Sequence, residues 1–190
     1  MKMENKIAQL LRVAIWRVTY CEVIVSYPNR FTKGSFDNIH PIDRFYRNVC
    51  VMSFSDVVLM LGSLLDKDNR VISFWNWKEF ISKRKDELEA LKRLFESHGL
   101  QEIRDQIIAH QDSTHAENTF PDARIKGYTH PIYVERAQHI LLELIKLFYQ
   151  HTTESGTPYS SDYFGNAEAR EQIETVLSVA KPILTNDLVA

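Results

Sequence analysis

The sequence predicts an all-α protein: an up-and-down helical bundle with short extra helices and a C-terminal helix. Three observations carry this. Apolar residues recur at three- and four-residue intervals along several long segments, which is the period of a helix face. The six glycines and six prolines among 190 residues cluster between those segments, against a many-turned β fold. With 44% hydrophobic and 11% aromatic residues, the chain can fill the core of one ordinary domain. One domain is expected over 1–190, with its core in about 1–152 and the C-terminal helix over about 166–182.

Taken in order, the first helix is expected over about Met3 to Tyr27. Ile7, Leu11, Ala14, Val18, Cys21 and Val25 make a bundle seam, and Pro28 ends it. A loop over 28–40 follows. Pro41 suits a first helical position, with Asp43 in the first turn where the helix dipole favours an anion. This second helix, to about Leu65, is apolar on nearly all sides between Val49 and Leu61 and is expected to be central and buried. Asp56 lies within it. It is either capped by local hydroxyls such as Ser53, or it meets Arg104 or His110 across the core.

The turn Asp66–Arg70 leads to a short helix from Ser73, a candidate cap, whose Trp75, Trp77, Phe80 and Ile81 read as packing aromatics rather than a base-stacking platform. From Lys83 to His98 the leucine spacing is helical. The lysines and arginines there alternate with Asp86, Glu87 and Glu89, as on a solvated face, with a phosphate-tracking patch as the alternative. Gly99 stops that helix. Residues 112–130 are a long polar loop carrying His115 and His130, and loops of that length are often functional. Pro131 opens a helix to about His151, with Ile132, Ala137, Ile140, Leu141, Leu144, Leu147 and Phe148 on its apolar side. Asn166 caps the last helix, with Ala169, Ile173, Val176, Leu177 and Ala180 inward.

Composition narrows function. The 23 Lys and Arg against 25 Asp and Glu leave a net charge of −2, so no general basic field exists to hold duplex DNA. Cys21 and Cys50 sit in apolar segments and read as reduced core thiols of a cytoplasmic protein. The charged first turns lack a signal-peptide core. The most apolar run, Asn48 to Leu61, is interrupted by Ser53, Ser55 and Asp56 and is too short to span a membrane.

The segment Gln101–Asp112, QEIRDQIIAHQD, holds the chemistry. Leu100, Ile103, Ile107 and Ile108 form an apolar stripe with Arg104 in its middle and His110 at its edge. The two lie ~9 Å apart along the axis and about 120° apart around it on an ideal helix. A buried arginine is costly unless an anion meets it. Arginine grips a phosphate through two parallel hydrogen bonds, and histidine exchanges protons near neutral pH. That pair suits RNA cleavage by the RNA's own 2′-hydroxyl, with no metal or cofactor, Asp105 and Asp56 orienting the pair. Rival readings are a structural ion pair and a metal hydrolase built on His110, Asp112 and His115. A serine or cysteine hydrolase has no G-x-S-x-G to support it.

The string R-D-Q-I-I-A-H, Arg104 to His110, resembles the signature of HEPN domains: an arginine, a polar residue after it, and a histidine about one to two turns on. With I-A-H-x-D and the upstream LLDKDNRVISF, it is most similar to the abortive-infection HEPN proteins of the AbiU type. The resemblance implies an up-and-down bundle that dimerises so that two R…H motifs face one cleft. It also implies a metal-independent endoribonuclease of phage defence or a toxin–antitoxin system, with Arg104 and His110 catalytic and Asp105 the polar motif residue. RNA is then the substrate, and an antitoxin or defence protein a partner. Some HEPN toxins carry a tyrosine two residues after the histidine, where a nucleotidyltransferase modifies them. Here Asp112 occupies that position. Other HEPN domains are inactive binding or dimerisation modules, the alternative for this chain.

Overall fold

A computed structural model describes residues 2–26, 41–105 and 131–175. Every regular element among them is helical. The long helices are α1 (Met3–Ser26), α2 (Pro41–Leu64), α3 (Lys78–Ser97) and α5 (Pro131–Glu154). Two shorter pieces, α4 over 100–105 and α6 over 167–175, follow Gly99 and Asn166. Single 3₁₀ turns lie at Phe74–Asn76 and Ser161–Phe164.

The seam expected on α1 is buried from Ile7 through Leu11, Ala14 and Val18 to Cys21. It packs chiefly on α2 and next on α5. Residue pairing gives the directions. Arg17 meets Asp56 while the Cys21 thiol donates to the Cys50 carbonyl (3.4 Å), so α1 and α2 are antiparallel. Glu22 meets Gln138, whereas Asn5 meets Tyr159 just beyond α5, so α1 and α5 are also antiparallel. Arg84 pairs with Glu154 and the His98 carbonyl with Arg136, so α3 opposes α5. The result is an up-and-down helical bundle. Prolines at the first positions of α2 and α5 start both helices where their missing N–H costs nothing.

Three expectations are corrected. α2 is not surrounded: Cys50, Phe54, Val57, Val58, Leu61 and Leu64 are buried, but Met52 is 64% exposed, so the helix keeps an open face. The short helix expected from Ser73 is a 3₁₀ turn at Phe74–Asn76 followed by extended Trp77, and α3 starts only at Lys78, while the break expected before the Lys83–His98 helix appears as the kink at Arg84 (φ −128°, ψ 21°). Ile132 on α5 faces outward rather than into the core. The aromatics Phe74, Trp77 and Phe80 are buried packing residues. At the start of α6, the Asn166 carbonyl accepts the Arg170 N–H, while its side-chain amide reaches across to Thr19.

No helix among the described residues is long and apolar enough to cross a membrane.

Candidate functional site

The site begins where α2 stops. A helix end leaves carbonyls without partners, and here side chains from the following turn take them. The Ser73 hydroxyl, fully buried, shares its proton between the Leu64 carbonyl (3.0 Å) and the Asp66 carbonyl (2.5 Å). The Trp75 indole N–H donates to the Leu65 carbonyl (3.1 Å). Ser73 Oγ in turn accepts the Trp75 backbone N–H (3.1 Å) and caps the 3₁₀ turn. The Asn76 amide spans the turn by donating to the Asp68 and Val71 carbonyls, both at 2.9 Å. Asp66 Oδ1 accepts the Asp68 N–H (3.0 Å), the local turn that aspartate favours. This leaves Asp66 Oδ2 free to face another element.

That element is α4. The α3 helix ends at His98, and Gly99 turns the chain at φ +75°, a left-handed conformation that suits glycine. α4 starts directly after it, burying Leu100 and Ile103. Arg104, on the same turn, is carried against the end of α2, where its Nη2 donates to Asp66 Oδ2 at 2.8 Å. The two side chains are 20% and 28% exposed, so the pair is neither sealed in the core nor freely solvated. Burial pushes the Asp66 carboxyl up, but the Asp68 N–H and the Arg104 guanidinium outweigh it and hold it below the usual carboxylate range.

Gly62, one turn before Asp66 on α2, is the floor beneath this arginine. A Cβ built there would lie 2.4 Å from Arg104 Cδ and 2.6 Å from Nε. The Arg104 stem therefore fills the space of the missing side chain.

The other expected site residues are placed as follows. Asp105 is exposed and accepts the Gln101 amide at 2.7 Å within its own helix. Asp56 pairs with Arg17 at 3.4 Å, both side chains 42% exposed. The carboxylate expected to meet Arg104 is thus Asp66 and not Asp56, because the part of α2 that packs on α4 is its last turn rather than its middle. His110, Asp112, His115 and His130 lie outside the described residues. On the charged face of α3, Arg84, mostly buried, pairs with Glu87 and with Glu154 of α5, while Glu89 pairs with Lys67 at the surface. Among the described residues no three potential metal ligands come together.

Sequence reasoning passed over Gly62 and Asp66. The signal was present in the LLDKDNRVISF segment, where an aspartate follows directly on the buried Leu64 and Leu65. Chemically, the arrangement holds a guanidinium by one nitrogen. A guanidinium offers five donors, and Arg104 commits Nη2 to Asp66, so that nitrogen fixes the group while other donors remain for an oxyanion. No protein-family model matches the chain, and neither curated proteins nor solved structures give a significant match.

Proposed function

We propose that the chain is a metal-independent endoribonuclease of the HEPN type, acting in phage defence or a toxin–antitoxin system as a cytoplasmic homodimer. The observation that carries the reading is Arg104. It belongs to the R-D-Q-I-I-A-H string, lies on a helix of a helical bundle, and keeps its side chain partly exposed with Nη2 anchored.

In this reading the RNA 2′-oxygen attacks the adjacent phosphorus and the bond to the 5′-oxygen breaks. His110 of one copy takes the 2′ proton, and His110 of the second copy gives a proton to the departing 5′-oxygen. Arg104 neutralises the extra charge on the pentavalent phosphorus. The products are a 2′,3′-cyclic phosphate and a 5′-hydroxyl. Two facing copies supply the pair of histidines that a single helix lacks, and Asp105 flanks the cleft.

A second reading has its own support. Asp66 already neutralises Arg104 within the chain, as in an inactive helical binding or dimerisation module. The two are separated by RNA cleavage in EDTA, wild type beside His110→Ala. The ribonuclease reading expects cyclic-phosphate ends from the wild type and none from the variant. Equal cleavage by both proteins, or by neither, removes it and leaves the module.

A further inference from the structure

We propose that Gly62 and Asp66 are positioning residues that aim Arg104, Gly62 as the notch that seats its stem and Asp66 as the anchor of its guanidinium. The catalytic consequence rests on the ribonuclease reading above.

A stabilising ion pair between Asp66 and Arg104 would not by itself require a glycine at 62. Glycine inside a helix is less stable than alanine, and residue 62 lies inside α2. The space that a Cβ would take is occupied by Arg104 Cδ and Nε. One turn on, Asp66 is itself immobilised. Its Oδ1 accepts the Asp68 N–H and its carbonyl accepts the buried Ser73 hydroxyl, so Oδ2 is presented in one place. Floor and anchor lie four residues apart on one helix end, and together they set both the path of the stem and the rotation of the guanidinium plane. Asp66 holds the guanidinium through Nη2, and its other N–H donors are the ones available to a phosphate. An arginine that stabilises a transition state must be placed before the reaction, and a displacement of about 1 Å costs on the order of 10²-fold in rate.

The test uses the full chain carrying Gly62→Ala, Asp66→Asn or Asp66→Glu, with Arg104→Ala to assign the Arg104 Nε–H signal in a ¹⁵N spectrum. Melting temperature, kcat, KM and that signal are measured for each. Gly62→Ala is expected to melt no lower than wild type, since the obstructing atoms are on a flexible side chain. It should nevertheless lose about tenfold or more in kcat with KM within about twofold, and shift the Nε–H signal. Asp66→Glu should recover part of the kcat lost by Asp66→Asn. If the wild type cleaves RNA and Gly62→Ala has the same kcat, the positioning role is overturned while the ribonuclease reading stands. If the wild type does not cleave, the ribonuclease reading falls and the signal alone decides the cradle. A shift in both Gly62→Ala and Asp66→Asn upholds it, and an unmoved signal overturns it.

Discussion

Arg104 and His151 are polar residues in two different settings of the bundle, and each setting treats its polar residue differently. Arg104 is met by a carboxylate on a turn braced by Ser73, Trp75 and Asn76. His151 on α5 is buried against aromatic rings, 4.6 Å edge-on from Trp77 and 5.1 Å from Phe80, and its Nδ1 has no hydrogen-bond partner among the described residues. Burial depresses the imidazole pKa. Lys83 and Arg84 push the same way, while Glu154 and Glu4 oppose them. The difference follows from charge. A guanidinium cannot shed its proton, so it needs an anion. An imidazole can become neutral, so aromatic packing is enough.

The largest effect is expected in the aromatic cluster. Phe80 is fully buried and contacts Phe74, Trp77 and His151. Phe80→Ala should cost about 3–5 kcal/mol in urea unfolding. A loss below about 1 kcal/mol would mean this cluster relaxes around the missing ring and is not close-packed.

The next effect separates the two settings by pH. Asp66→Asn should cost about 1.5–3 kcal/mol at pH 7, the usual size for a hydrogen bond to a charged group. The folded Asp66 pKa lies below its ordinary 3.8. Its contribution is therefore complete above that value and lost as the pH falls through the depressed one, and the gap between variant and wild type should close only in strong acid. The folded His151 pKa lies below its ordinary 6.5. The unfolded chain takes up that proton first, so its cost appears as the pH falls below about 6.5. His151→Leu should accordingly gain on the wild type between pH 7 and pH 5. Equal slopes for wild type and His151→Leu over that range would show that the imidazole ionises as freely in the folded protein as outside it.

The smallest effect is expected at Asp56. Its pair with Arg17 is well exposed, and exposed pairs contribute little. Asp56→Asn should change stability by no more than about 0.5 kcal/mol, against the larger loss at Asp66. Similar losses at both would remove the contrast between a braced carboxylate and a solvated one.

Much of the fold was legible in the chain. The Ile7 to Cys21 seam, the prolines opening α2 and α5, and the stop at Gly99 are local signals read by local physics. The open face of α2 was not legible, since apolar residues on all sides suit a helix whether or not neighbours cover every side. For the site, the inward turn of Arg104 could be read from its place between Leu100 and Ile107. Its partner could not, because Asp56 within α2 and Asp66 just beyond its end lie at different heights, and helical period alone does not say which height meets α4.

Sequence by itself determined that an arginine would be turned toward the bundle and would require an anion, because helical period and charge are properties of the chain alone. Only the tertiary structure decided that Asp66 supplies the anion and Gly62 the space. Those two residues lie some forty positions before Arg104, and only the packing of α4 against the end of α2 brings them to it.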